Sequence, residues 1–172
     1  MRFPTSVRSA PAATSAQGSN ENLDIYRDAV QPQIDEPVIE ACLFSRQGMM
    51  TEKLAGHFGG GLTYLLARKH SQMRAGGLPQ HFIIAVTQDR VYAIETKVGA
   101  RRGPVGEIRG EVARWERASL RVSSKTDMTT GGLGLNVTIE SPAEGETVRC
   151  VVGRNRLSED FVRLLSDHEA AA

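Results

Sequence analysis

Runs of apolar residues separated by short polar stretches dominate the chain from residue 38 onward. Residues 81–86 (HFIIAV) and 91–96 (VYAIET) flank four polar residues, which predicts a β-hairpin. An apolar run at 38–45 predicts an earlier strand. The loosely alternating stretch 105–115 contains Gly106 and Gly110, which predicts a bent or bulged strand.

Three later stretches alternate between apolar and polar residues, at 118–124, 133–140 and 147–152. A period of two indicates strands with one buried face. With the four runs before them, these stretches bring the predicted number of strands to seven. The residues expected to face the core are Leu120, Val122, Leu135, Val137, Ile139, Val148 and Val152.

The end of the chain predicts an amphipathic helix. Ser158 is a suitable N-cap, and Glu159 and Asp160 complement the positive end of the helix dipole. One apolar face then follows at helical spacing, formed by Phe161, Leu164, Leu165 and His168.

Residues 46–80 predict a helical insertion between the first two strands, since five apolar residues recur there at a spacing of four. Gly59, Gly60 and Gly61 interrupt this pattern, and each glycine costs a helix about 1 kcal/mol relative to alanine. Basic residues flank the apolar centre on both sides. The insertion could pack on the domain, contact a second subunit, lie on an anionic membrane surface or form a disordered loop.

The N-terminal region has a different composition. Residues 1–20 contain no acidic residue and are rich in Ser, Ala, Thr, Pro and Gln, so we predict a disordered tail over 1–35 and one domain over 36–172. Residues 21–40 carry six acids against one arginine, whereas 41–88 carry five bases against one acid. This alternation suggests that the acidic segment folds back over the basic insertion.

The order of seven strands and a closing helix resembles the pleckstrin-homology-like (PH-like, GRAM-like) superfamily, in particular small bacterial members. The stretches that carry the resemblance are AVTQDRVYAIETK (85–97), EVARWERASLRVSS (111–124), LNVTIESP (135–142) and DFVRLL (160–165). The resemblance implies a mainly β (α+β) fold, with two near-orthogonal sheets forming a barrel or sandwich whose open corner the helix closes. Residues 81–86 lack the Lys and Arg that many lipid-binding members carry on this strand.

Candidate chemistry is sparse. Cys42 and Cys150 lie in strand-like runs, which favours buried reduced thiols and allows a disulfide only if their strands adjoin. The histidines lack metal-ligand spacing, and the glycine clusters match neither a phosphate-binding loop nor a nucleophile elbow. We therefore expect no enzymatic activity, no cofactor and no metal.

The expected function is that of a non-enzymatic interaction module, which binds a protein partner or a second copy of itself through the insertion. The alternative is a peripheral membrane adaptor that contacts anionic lipid weakly through the insertion and a basic loop. With a net charge of +1 and few aromatic residues, nucleic acid is not an expected partner. The expected location is the cytoplasm or the inner membrane face. The candidate contact residues are Lys53, Phe58, Leu62, Arg68, Lys69, Arg74, Arg101 and Arg102.

Overall fold

The computed structural model describes residues 23–47, 77–98 and 105–167. Three short 3₁₀ helices, at Gln31–Gln33, Arg117–Ser119 and Met128–Thr130, lie between the main elements. In chain order these elements are helix α1 (Leu23–Val30), strands β1 (Glu40–Arg46), β2 (His81–Val86), β3 (Arg90–Lys97), β4 (Glu107–Glu116), β5 (Arg121–Asp127), β6 (Gly134–Ser141) and β7 (Glu146–Gly153), and helix α2 (Arg156–Ser166).

The seven strands of the described residues form one open antiparallel sheet in the order β4-β3-β2-β1-β7-β6-β5. β1 pairs with β2 along almost its whole length, but it meets β7 through only two residue pairs, Ser45 with Val151 and Arg46 with Cys150. The prediction of a mainly β fold with seven antiparallel strands and a C-terminal helix is confirmed.

The core lies between the two halves of this sheet and α2. The predicted inward-facing residues of β6 and β7 are buried, as is Leu120, whereas Val122 is only half-buried and packs at the margin of the core. Phe161 of α2 packs against Phe44 of β1 with ring centroids 6.0 Å apart. Trp115 donates a hydrogen bond from Nε1 to Glu146, which links β4 to β7 across the curled sheet.

β4 is a bulged strand, as the glycines of the stretch 105–115 predict. Its register with β3 shifts twice, so that Arg109 and Val112 have no residue opposite them. Gly106, just before β4, has a φ of +69°, and a Cβ built there would lie 2.1 Å from the Lys97 carbonyl oxygen. The close approach of the two backbones at this point therefore requires glycine.

The segment before β1 contains a helix in its described part, within the stretch for which the sequence predicted a tail. α1 packs against β1 and β2 and buries Leu23, Tyr26 and Val30. These residues recur at the spacing of one helical face, a pattern partly hidden by the acidic residues between them. The predicted tail boundary at residue 35 thus falls after a packed helix, and residues 1–22 lie outside the described residues.

The start of α2 also differs from the prediction. Asn155, not Ser158, is the N-cap, and Ser158 occupies the third helical position. The Asn155 side chain accepts from the Ser158 N–H at 2.8 Å, and the Ser158 hydroxyl accepts from the Asn155 N–H at 3.0 Å. This reciprocal pair is a capping box, and both of its residue types are good helix caps, so the pattern alone favoured the wrong one.

Candidate functional site

The outward-facing side of β5, β6 and β7 carries a group of basic and hydroxyl side chains. Directly paired residues of an antiparallel sheet share a face. Arg121 pairs with Glu140, Ser123 with Thr138 and Lys125 with Asn136, while Thr138 also pairs with Arg149 of β7. The alternate residues of β6 and β7 point into the core. We call the outward residues the basic face: Arg121, Ser123, Lys125, Asn136, Thr138, Glu140, Thr147, Arg149 and the half-buried Val151.

The three cations of the basic face are exposed and make no ion pair with any described residue. Most other exposed arginines of the described chain lie within 4.0 Å of a carboxylate oxygen. Lys97 is a further exposed cation, and it has no such partner among residues 23–47, 77–98 and 105–167. The salt-bridged arginines are Arg27, Arg90, Arg109, Arg114, Arg154, Arg156 and Arg163. Unpaired positive charge is thus concentrated on this one side of the sheet.

Little negative charge offsets these cations. Glu140 is the exposed acidic residue of the basic face, so three basic side chains stand against one acidic one. Asp127, at the end of β5, is buried, and its Oδ1 accepts hydrogen bonds from the Thr129 N–H at 3.0 Å and the Thr129 hydroxyl at 2.6 Å. The face therefore offers an electrostatic site for anionic groups.

The turn between β5 and β6, which we call the hairpin tip (residues 128–133), exposes two large apolar side chains. Met128 is 79% exposed and Leu133 is 66% exposed. The turn is held by backbone hydrogen bonds from Gly132 to the Asp127 carbonyl at 3.1 Å and from Arg154 to the Leu133 carbonyl at 2.8 Å. Ordered backbone thus presents apolar surface to solvent at the end of the strands that carry the basic face.

A second polar cluster lies where the N-terminal segment crosses the β2–β3 hairpin. The Glu36 carboxylate accepts a hydrogen bond from the Thr87 hydroxyl at 2.7 Å and pairs with Arg90 at 2.8 Å. The Thr87 hydrogen bond, with further help from Arg90 and Tyr92, holds the pKa of Glu36 below its ordinary value. The cluster fastens the segment after α1 to the sheet, so Glu36 contacts β3 rather than serving a ligand.

A shallow depression of about 400 Å³ lies beside this cluster. Its cation is already engaged, since Arg117 donates to the Leu164 carbonyl of α2 at 2.8 Å and to the Thr87 carbonyl at 3.4 Å. A cation at the carboxyl end of a helix is stabilising, so this contact ties α2 to the connection between β4 and β5. The lining residues are Gln88, Asp89, Glu116, Arg117, Ala118 and Asp167.

Neither cysteine forms a disulfide, and both are buried, as predicted. The Cys150 thiol donates to the Val137 carbonyl, and burial raises the pKa of Cys150 far above its ordinary value. Within residues 23–47, 77–98 and 105–167, no group of three or more His, Cys, Asp or Glu side chains could hold a metal ion. No helix of the same described ranges is long and apolar enough to cross a bilayer.

The contact residues predicted from sequence cannot be placed on this surface. Lys53, Phe58, Leu62, Arg68, Lys69 and Arg74 belong to the predicted helical insertion, and that segment lies outside the described residues except at its two ends. Arg101 and Arg102 of the basic loop between β3 and β4 also lie outside them. The predicted roles of these eight residues therefore stay predictions.

The basic face was missed by sequence reasoning, although part of its signal was visible. Alternation placed Arg121 on the face of its strand that does not carry Leu120 and Val122. It likewise placed Thr138 on the face of β6 that does not carry the apolar residues. Strand register, which brings Arg149 of β7 beside Thr138, is not given by alternation. The ion pairs that engage cations elsewhere in the fold are likewise a property of the folded chain.

The chain was compared with protein-family models, curated proteins and solved structures. None of them matches the chain. A function for this domain must accordingly be argued from its own residues.

Proposed function

We propose that the domain is a non-enzymatic interaction module that binds an anionic partner through the basic face. The observation that carries the proposal is the set of three exposed cations, Arg121, Lys125 and Arg149, on one side of a regular sheet, none of which forms an ion pair with a described residue. Cations without carboxylate partners lose no ion pair when an anion approaches. Each basic residue near an anionic surface contributes about 1 kcal/mol to binding.

The engagement of other polar groups in folding supports a binding role over a catalytic one. The Glu36 carboxylate is held by Thr87 and Arg90, and Glu146 accepts from the buried Trp115. The buried Cys150 has a raised pKa, which disfavours the thiolate that a cysteine nucleophile needs. These groups stabilise the sheet, while the basic face remains available.

A PH-like architecture is part of this proposal. Its support is the single antiparallel order of seven strands followed by a helix whose Phe161 packs on β1. The predicted contact of a protein partner or a second copy through the insertion remains a separate hypothesis, as does a location in the cytoplasm or at the inner membrane face. Binding through the basic face is independent of these hypotheses, because it requires neither the insertion nor the loop at 99–104.

The test compares the wild-type chain with the triple variant Arg121→Gln, Lys125→Gln, Arg149→Gln on two anionic probes. One probe is a set of phosphatidylcholine vesicles containing phosphatidylserine, and the other is a fluorescent single-stranded oligonucleotide. At up to about 1 kcal/mol for each cation, depending on how closely it approaches the probe, the triple variant should bind the preferred probe about 10- to 100-fold more weakly. Raising the salt concentration should weaken wild-type binding, because exposed charges are screened.

The matched control removes three positive charges elsewhere, with Arg109→Gln, Arg114→Gln and Arg163→Gln. These arginines are exposed and already paired with carboxylates, so the change in net charge is equal while the basic face is intact. The control should bind far more tightly than the triple variant. Equal losses in both, or failure of the wild type to bind either probe at low salt, would contradict the proposal.

A further inference from the structure

We propose that the anionic partner is a lipid bilayer and that the hairpin tip enters its surface. This inference rests on the proposed function, because it identifies the partner of the basic face. It adds a second, independent observation, which is the exposure of Met128 and Leu133 at the end of the same hairpin. Basic residues beside exposed apolar ones form the pattern by which peripheral proteins bind anionic membranes.

The hairpin tip is built to hold its apolar residues outward. Asp127 caps the turn through Thr129, and Gly131 and Gly132 adopt positive φ values of 66° and 83° that let the chain reverse tightly. The Leu133 carbonyl is fixed by the Arg154 N–H. A preorganised turn loses little conformational entropy on binding. Most of the favourable free energy of transferring both side chains out of water therefore contributes to the binding affinity.

The same features favour a bilayer over a nucleic acid. Single-stranded nucleic acids bind proteins largely by stacking bases on aromatic side chains, and none of the residues of the basic face is aromatic. The apolar tip has no counterpart on a phosphate backbone. At the bilayer surface, Met128 and Leu133 can be buried at the boundary between headgroups and acyl chains, and Lys125 can approach the anionic headgroups.

The geometry of β5 orients the domain on the membrane. A strand rises about 3.3 Å per residue, so the backbone of Lys125 lies about 10 Å from that of Met128, and Arg121 lies about 23 Å away. Electrostatic attraction decays over about 8 Å at physiological salt. With the tip pointing down, Lys125 reaches the headgroups, whereas Arg121 stays largely above them, with Arg149 between because it aligns with Ser123.

The first experiment measures partitioning of the full chain onto vesicles of phosphatidylcholine with phosphatidylserine. Met128→Gln with Leu133→Gln should reduce the partition coefficient by at least about tenfold, because burying a large apolar side chain accounts for most of that factor. The matched control is Val112→Gln, an exposed apolar residue (42%) on β4 at the far end of the strand order, and it should bind like the wild type. Lys125→Gln should cost about fivefold and Arg121→Gln less than twofold at physiological salt.

The second experiment places an environment-sensitive fluorophore on the tip through Met128→Cys. The natural thiols Cys42 and Cys150 are fully buried, so labelling of the folded protein is directed to the new residue. The labelled tip should shift its emission to the blue on anionic vesicles. The same label at Val112→Cys, as a control, should not respond.

The outcomes separate this inference from the proposed function. Binding of the oligonucleotide but not of vesicles would keep the basic face as an anion site and overturn the membrane inference. Vesicle binding with an unresponsive tip label, or with equal losses for Lys125→Gln and Arg121→Gln, would overturn tip insertion. Vesicle binding that survives the triple basic-face variant would overturn the proposed function itself.

Discussion

The contribution of α1 to the domain leads to a prediction for Tyr26. This side chain is 1% exposed, and its hydroxyl has no hydrogen-bond partner among the described residues. Truncating a large buried aromatic side chain to alanine costs about 3–5 kcal/mol. A buried hydroxyl without a partner costs about 1–3 kcal/mol of desolvation. Tyr26→Ala should therefore be strongly destabilising, whereas Tyr26→Phe should be neutral or stabilising.

The assay is urea unfolding followed by the fluorescence of Trp115, the one tryptophan of the chain and a buried residue. With a typical slope near 1.5 kcal/mol/M, Tyr26→Ala should lower the midpoint by about 2–3 M. Tyr26→Phe should leave the midpoint unchanged or raise it. The slope should be the same in all three proteins if only the stability of the folded state changes.

Two results would refute this reasoning. An unchanged midpoint for Tyr26→Ala would mean that α1 contributes nothing to the core, and that the domain begins near residue 36 as the sequence predicted. A loss for Tyr26→Phe comparable to that for alanine would mean that the hydroxyl makes an important hydrogen bond, so that the aromatic ring is not the main contribution.

Four further predictions concern stability. Phe161→Ala should cost about 3–5 kcal/mol and lower the melting temperature by at least about 10 °C, whereas the half-buried Leu164→Ala should cost less. Because the Thr87 hydrogen bond lowers the pKa of Glu36, Glu36→Gln should reduce stability at neutral pH, and the difference should shrink as acid protonates the wild type. Burial raises the pKa of the Glu40 carboxyl group, so the contribution of this group to the stability of the wild type falls as pH rises. Glu40→Gln should therefore be neutral or stabilising at pH 7, as measured by thermal melts at several pH values. Gly106→Ala should destabilise the chain in thermal melts, because its Cβ would meet the Lys97 carbonyl.

The strands of the second half of the sheet could be predicted because each buries one face. Leu135, Val137 and Ile139 alternate with polar residues, and this period of two fixes which side chains enter the core. The same argument placed Arg121 and Thr138 outside. Local pattern was sufficient here because burial is one-sided.

The first half of the sheet carries a different pattern. Residues 82–86 and 91–94 are apolar without alternation, and the structure buries all of them. A continuous apolar strand is typical of burial on both faces, which requires a further layer over the sheet. That requirement is consistent with α1 packing on β1 and β2, and it argues against a domain that begins only at β1.

Cap assignment and register depend on details below the level of pattern. Asn155 and Ser158 are both good caps, and the choice between them depends on where the chain leaves β7. The cations of the basic face differ from most other exposed cations because no described carboxylate lies within ion-pair distance of them. This difference depends on the three-dimensional arrangement of the chain, and residue spacing in the sequence does not reveal it.

The narrow junction between β1 and β7 divides the sheet into two groups of strands. Two residue pairs join them, against six between β1 and β2 and eight between β6 and β7. Cooperative unfolding units often coincide with such supersecondary groups. In hydrogen–deuterium exchange, we expect the amides of β5–β7 to exchange together and those of β1–β3 to exchange more slowly, because both faces of β1–β3 are buried.

Helix α2 spans this junction, since it contacts both β1 and β5. Weakening its packing should therefore uncouple the two groups and turn one cooperative transition into two. The hairpin that carries the basic face and the tip belongs to the group with the smaller share of the core. A ligand bound to the basic face or the hairpin tip would stabilise the folded form of β5–β7. Ligand binding should therefore slow amide hydrogen exchange in β5–β7 more than in β1–β3.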